Sequence, residues 1–334
     1  MKKTNLLLLG FLFGFLFLTT SCEKEETVTV NESEILADYL TTYSTTDPAM
    51  IAATDVYTSV VAQDGNVYVI DIRSSTDFAA GHITGAVNVT LTNLLTYYEA
   101  NNLSTKTTVA IACYTGQTAN YGASLLRMLG YTNVKALKFG MSSWNPETKG
   151  SWTNNTKNTL SALMETAAGT KNTAGKLPVL NTGKTTGAEI LRARVETLLA
   201  VADPFADAKI TNQAAYDNRA TNYTVNYWKA SHYNFKHLPG AVQYTPKTTM
   251  SVTQELNTLP ADKTVVVYCY TGQTSAYLVA YLKVLGYDAK SLLYGANGMM
   301  YDDMLTYNTT AAADDKMSVF VEADVVKEFP LVTN

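Results

Sequence analysis

The feature that most narrows the folds open to this chain is a six-residue stretch that occurs twice, Cys113-Tyr-Thr-Gly-Gln-Thr118 and Cys269-Tyr-Thr-Gly-Gln-Thr274. Each copy follows a run of β-formers, residues 107–112 in the first and 264–268 in the second, which reads as a buried strand. Each precedes a helical pattern: Tyr121, Leu125, Met128 and Leu129 in one copy, Tyr277, Tyr281, Val284 and Leu285 in the other. Gly130 and Gly286 stand where such helices end. The unit is therefore strand, cysteine, tight polar loop, helix. A loop that enters a helix aims unpaired backbone N–H groups at its mouth, and a thiolate placed there is stabilised. One such cysteine alone would read first as a small buried core residue. Its recurrence in the same setting turns the reading toward chemistry.

The repeat extends beyond the loop. Setting His237 against His82 aligns Lys236-His-Leu-Pro-Gly-Ala-Val242 with Gly81-His-Ile-Thr-Gly-Ala-Val87, and the cysteine then follows 32 residues after the histidine, against 31 in the first copy. A unit of this length is a duplicated domain, and 334 residues are enough for two. Around the first copy, Ile35, Leu36, Tyr39, Leu40 and Tyr43 keep helical spacing behind Ser33 as cap. Asp47-Pro48 opens a second helix through Ile51, Val56 and Val60. A strand at 67–72, a short helix near 76–80, a turn and strand at 81–89 and a helix at 91–100 follow. This alternation predicts a parallel α/β sheet flanked by helices in each repeat, with the cysteine loop at the carboxyl end of a strand, where open sheets of this kind bind ligands.

Residues 150–207 break the rhythm with Gly-, Asn- and Thr-rich stretches and read as a connector holding one helix, about 188–201. Thr182-Gly-Lys-Thr185 has the look of a phosphate loop, but Pro178 stands where that pattern needs glycine and no strand precedes it. The chain divides into a signal segment at 1–22, a tether and short helix at 23–47, a first domain at 48–149, the connector, and a second domain at 208–334.

A net charge of -4 with only 16% charged residues offers nothing basic for a nucleic acid. Lys2-Lys3 followed by the Leu- and Phe-rich run 6–18 reads as an export signal, too short to span a bilayer comfortably. Its end, Leu18-Thr-Thr-Ser-Cys22, resembles the lipobox of bacterial lipoproteins, with Thr19 where the usual leucine stands. That resemblance implies lipidation of Cys22, a membrane lipid anchor and a place in the cell envelope of a bacterium, on the periplasmic side or the outer surface. Three histidines and no paired cysteines support no metal site, and no cofactor is expected.

Together, Asp71-Ile-Arg73, Gly81-His-Ile-Thr-Gly-Ala86 and the six-residue loops headed by Cys113 and Cys269 resemble the rhodanese family, in tandem over roughly 50–145 and 208–305. The resemblance implies two rhodanese-like domains with sulfurtransferase activity. A cysteine takes a sulfane sulfur from a donor such as thiosulfate, holds it as a persulfide and passes it to cyanide or a thiol. Cys113 and Cys269 are then the nucleophiles. The backbone amides of Tyr114, Thr115, Gly116, Gln117 and Thr118, and of Tyr270, Thr271, Gly272, Gln273 and Thr274, form the substrate cradles. Gly116 and Gly272 allow a turn that a Cβ would forbid. The hydroxyls of Thr118 and Thr274 either donate to the outer sulfur or cap the helix.

Asp71, Arg73, His82 and His237 are expected to support the loops without entering the chemistry, since sulfur transfer by an ionised thiolate needs no proton abstraction. Asn226 and Trp228 stand where the second copy would carry its acid and base, and His232 has no counterpart in the first copy. The loops carry no Arg or Lys, so preference for thiosulfate over other donors is open. Cysteine phosphatases share this kind of loop but need an arginine six positions after the nucleophile, where Ala119 and Ser275 stand. A non-catalytic binding or sulfide-sensing platform is the remaining alternative, and two intact thiol loops weigh against it.

Overall fold

The computed structural model describes residues 31–42 and 49–333; the signal segment with Cys22, residues 23–30 of the tether and Asp47-Pro48 lie outside the described residues. Each repeat builds a five-stranded parallel sheet, and the two have the same strand order. The first, β1-β5-β4-β2-β3, uses β1 (Met50–Ile51), β2 (Val67–Asp71), β3 (Val87–Asn88), β4 (Thr108–Ala112) and β5 (Val134–Leu137). The second, β6-β10-β9-β7-β8, uses β6 (Lys209–Ile210), β7 (Tyr223–Asn226), β8 (Val242–Gln243), β9 (Val265–Tyr268) and β10 (Ala289–Leu292). Every residue of β4 and β9 is buried, as befits strands covered on both faces, which explains why neither alternates apolar with polar.

Helices α1 (Glu32–Tyr39), α2 (Ala53–Ala62), α3 (Ser75–Ala80), α4 (Leu94–Ala100) and α5 (Gln117–Met128) belong to the first half. The connecting segment carries α6 (Gly150–Thr153) and α7 (Gly187–Leu199), and the second half α8 (Asn212–Asp217), α9 (Ala230–Phe235), α10 (Gln273–Val284) and α11 (Tyr301–Thr310). The helices that leave the cysteine loops, α5 and α10, pack on each other. One apolar core therefore runs through both halves, joining Tyr121, Leu125 and Leu126 of α5, Val279 and Leu282 of α10, and Ile190 of α7.

Three local expectations are corrected. Ile51 is in a strand, because Met50 and Ile51 pair with Ala136 and Leu137 at the sheet edge, and α2 starts only at Ala53; a two-residue edge strand leaves no periodicity to read. Asn31, not Ser33, caps α1, accepting from the Glu34 amide, while Ser33 is buried and gives its hydroxyl proton to the Pro178 carbonyl. The helix expected over 91–100 opens as a 3₁₀ turn, Leu91–Asn93, before α4.

The halves exchange their flanking segments. After the first half, the chain runs onto the second: Lys157 and Leu160 donate to the carbonyls of Asn297 and Met299, and Glu165 pairs antiparallel with His237. After the second half it returns to the first. There Lys327 and Phe329 donate to Ser143 and Trp144, and Val332 pairs antiparallel with His82.

The Thr182–Thr185 stretch holds an anion after all, but one from within the chain. The Glu32 carboxylate accepts from the Thr182 amide (2.7 Å), the Thr182 hydroxyl (2.7 Å) and the Gly183 amide (2.8 Å). Burial pushes this carboxyl up, but Thr182, Gly183 and the charge of Arg194 together pull it below its ordinary value. Glu32→Gln is expected to cost about 1–3 kcal/mol of stability, the worth of hydrogen bonds to a charged group. Because the folded value is depressed, the difference between wild type and variant is full above about pH 5 and shrinks as pH falls through the folded value, which denaturant titrations at stepped pH read directly.

Candidate active site

Cys113 follows the last residue of β4, and α5 begins four residues later at Gln117. Gly116, at φ +83°, turns the chain, so that the amides of Gly116 and Ala119 face Cys113 Sγ at 3.1 and 3.4 Å. In the second half Gly272 turns at φ +75°, and Cys269 Sγ accepts from the Ser275 amide at 3.4 Å and lies 3.6 Å from Ser275 Oγ. Ala119 and Ser275 lie one residue past the expected cradle, because the unpaired N–H groups of a helix run through its third residue. Thr118 and Thr274 do not cap: Gly116 and Gly272 hold the cap position without a side-chain bond, and each threonine is the second helical residue.

Both thiols are buried, each 2% exposed. For Cys113 burial is the larger effect and pushes the thiol up; the amides of Ala119, Thr115 and Gly116 offset this only in part, and the Asp71 charge adds to the rise. Opposed influences therefore act on Cys113: burial disfavours the thiolate and the facing amides favour it. Withdrawal from water costs the anion more than these amides return.

A second loop, not anticipated from the sequence, closes each cradle from below. Phe139-Gly140 and Tyr294-Gly295 follow β5 and β10 with all four residues left-handed, at φ +62°, +60°, +61° and +53°. This lets Met141 and Ser142 donate to the carbonyls of Cys113 and Tyr114, and Ala296 and Asn297 to those of Cys269 and Tyr270. A methyl group at Gly140 would lie 2.3 Å from the Cys113 carbonyl oxygen and 2.6 Å from the Thr115 and Gly116 nitrogens. The signal was present as an aromatic residue and glycine at nearly the same distance after each cysteine.

The two sites are also tied to each other. Gln117 Oε1 accepts from the Tyr294 amide at 2.9 Å, and Gln273 Oε1 accepts from the Phe139 amide at 2.7 Å. Each glutamine also donates to the threonine of its own loop, Thr115 or Thr271. Trp152 donates its indole N–H to the Thr115 carbonyl (3.0 Å) and packs edge-on against Phe139 and Tyr294.

Around this frame the halves differ. In the first, Arg73 grips Asp71 through Nε and Nη2 (2.7–3.1 Å) and donates to the Gly81 carbonyl (2.6 Å), both side chains buried. In the second, Asn226 takes the register of Asp71 and donates to Tyr268 Oη, which accepts also from the Leu238 amide. His82 and His237 sit in like turns, Nδ1 at 2.8 and 2.7 Å from the carbonyls four residues back, each ring stacked on the Phe78 or Tyr233 behind it.

The loop tyrosines are anchored in parallel fashion. Tyr114 Oη donates to Asp77 and accepts from the Ser74 amide, beside a cleft of about 310 Å³ lined by Arg73, Asp77, Tyr114, Met141, Glu147 and Leu331. Tyr270 stacks flat on Trp228, ring centroids 5.2 Å apart, and its hydroxyl meets His232 Nδ1. His232 therefore has a counterpart, Asp77, contrary to the sequence reading. The offset that aligns His82 with His237 places it there.

Compared with known proteins, the chain matches the Rhodanese-like domain family twice, over residues 57–147 and 212–300. It is 37% identical over 76 residues to thiosulfate sulfurtransferase GlpE of Pseudomonas fluorescens (strain SBW25), a stretch covering 23% of this chain and 68% of that protein. GlpE of Tolumonas auensis is 30% identical over 79 residues, 24% of this chain and 73% of the other. A solved structure of thiosulfate sulfurtransferase from Pseudomonas aeruginosa aligns over 86% of this chain and 46% of its own at 18% identity, with a TM-score of 0.29.

Replacing Gly140 by alanine is expected to cost about 1–3 kcal/mol in backbone strain and to displace the Cys113 cradle. Urea unfolding checks the first. Alkylation resolved by peptide mass spectrometry checks the second, with the Cys113 rate altered more than that of Cys269, whose loop meets the shifted segment through the Gln273–Phe139 bond.

Proposed function

Because the chain belongs to the rhodanese-like family, which it matches over more than half its length, we propose that it is a sulfurtransferase working through persulfides on Cys113 and Cys269. The observation that carries this reading is the pair of amides facing Cys113 Sγ at 3.1 and 3.4 Å at the head of α5. Cys113 first gives up its proton to water; the thiolate then attacks the outer sulfur of a donor such as thiosulfate, the donor's S–S bond breaks, and sulfite leaves with the bonding pair. The terminal sulfur of the persulfide is then aimed into the ring of main-chain donors, which share its charge. A thiolate or cyanide attacks that sulfur and Cys113 departs with its electrons. No external oxidant or reductant is needed in either step. The uncharged loop suits donors of low charge at least as well as a dianion.

The first centre is the better catalyst in this proposal, since its support includes the Asp71–Arg73 pair. After incubation with thiosulfate, and separately with mercaptopyruvate, each loop peptide is expected to gain about 32 Da for one sulfur. Cys113→Ser abolishes the gain on its own loop only, and Cys269→Ser likewise. Because burial raises the Cys113 thiol, its loading increases with pH beyond the value of about 8.5 at which a free cysteine titrates. Full turnover in Cys113→Ser with an inert Cys269→Ser would reverse the ranking. No sulfur on either peptide from any donor would replace the transferase with a binding platform.

The export signal and Cys22 support a lipid-anchored position in a bacterial envelope. Metabolic labelling with a radioactive fatty acid is expected to mark the wild type and not Cys22→Ala; equal labelling of the two would remove the anchor.

A further inference from the structure

The second cysteine loop carries a proton-sensitive partner that the first lacks. His232 is buried in α9, with Nδ1 against Tyr270 Oη and Nε2 2.8 Å from the Asp315 backbone carbonyl. A carbonyl can only accept, so Nε2 carries a proton in every state of the ring. In the neutral imidazole Nδ1 must then accept, and the Tyr270 hydroxyl donates to it. In the imidazolium Nδ1 donates as well, the phenol oxygen becomes its acceptor, and the Tyr270 proton is freed from the imidazole. Tyr114 has no such choice, because the Asp77 carboxylate facing it has lone pairs only, so its proton stays committed.

We propose that His232 is a positioning residue for the second site, setting whether the Tyr270 hydroxyl proton is held by the imidazole or offered to an anion at the Cys269 loop. Tyr270 directly follows Cys269, and its carbonyl is fixed by the Asn297 amide (3.0 Å) and side-chain N–H (2.7 Å). The backbone thus stays in place while the hydrogen bond reverses. The imidazolium charge acts in the same direction, favouring a thiolate or a persulfide nearby.

Several charged and polar groups face His232. Asp315 Oδ1 lies 3.3 Å from Nε2 and is shared with Lys229 Nζ at 3.5 Å and Ser231 Oγ at 3.2 Å. Tyr307, 5.1 Å away ring to ring, donates to the other oxygen of Asp315 at 2.6 Å. Histidine is the side chain whose ordinary titration falls between about pH 5 and 8.

The test follows iodoacetamide alkylation of both cysteines in the full chain from pH 5 to 10, resolved by peptide mass spectrometry. It needs no sulfur donor, so a failed transferase reading leaves it intact, and persulfide loading run in parallel separates the two outcomes. The Cys113 rate is expected to fall with a single ionisation as pH drops. The Cys269 rate is expected to show a second inflection between about pH 5 and 8, below which it stays about three- to tenfold above the single-ionisation curve. His232→Gln removes that inflection, His232→Asp gives the Cys113 type of profile, and Asp77→His transfers the inflection to Cys113. Tyr270→Phe, which keeps the stacking on Trp228 and lacks the hydroxyl, weakens it, and serves if the His232 variants unfold. An unchanged Cys269 profile in His232→Gln or in Tyr270→Phe, or the same inflection at wild-type Cys113, overturns the proposal.

Discussion

Two glutamine side chains, crossed between the halves, hold both centres in shape. Gln117 and Gln273 open the helices that follow the cysteines, and each accepts the backbone N–H of an aromatic residue in the other half. Those N–H groups belong to the left-handed pair that closes the partner cradle, where no strand or helix offers them a partner. A buried donor left unpaired costs about 1–3 kcal/mol. Neither cradle is therefore finished by its own repeat. The contact of α5 with α10 brings the glutamines to their targets, so the apolar core between the halves and the polar geometry at the thiols are two aspects of one packing arrangement.

On this symmetric backbone the chain has placed unlike side chains. The first half spends a buried ion pair, Asp71 with Arg73, on joining β2 to the turn at Gly81. Such a pair is worth having only when its remaining hydrogen-bonding capacity is met, and here the Arg73 amide and the Gly81 carbonyl meet much of it. The second half joins its strand to its turn without charge, by Asn226, the hydroxyl of Tyr268 and the Leu238 amide, and a buried Trp228 stands at the sequence position of Arg73. Gln243 binds the Trp228 carbonyl as Asn88 binds that of Arg73. The carbonyls of Arg73 and Trp228 are served alike, while the turn is reached through the Gly81 carbonyl in the first half and the Leu238 amide in the second.

Much of this was legible in the sequence because it rests on local pattern. The repeated hexapeptide, the apolar runs before it and the helical spacing after it are sufficient for two parallel sheets with a cysteine at a strand end. Features that depend on distant packing were not. Nothing local says that Phe139 and Tyr294 adopt positive φ, since the turn is fixed by the bonds that the following amides make to the carbonyls of the distant cysteine loops. The burial that raises the Cys113 thiol is likewise a property of what is stacked over the loop. The pairing of His232 with Asp77 was present in the alignment of the repeats. Residue type alone hides it, because the two side chains differ in chemistry while sharing a place.

The crossed flanking segments bear on how such a chain can be divided. The boundary that the repeat suggests, between one copy and the next, runs through a mutual wrapping: residues 157–165 belong by contact to the second half, and residues 327–332 to the first. A fragment ending after the first copy would lose the Val332 segment that bridges to His82 and the backbone carbonyls that cap the Trp144 and Asn145 side chains. Duplication in sequence has thus become interdependence in space, and the smallest autonomous piece of this molecule is larger than the unit that was copied.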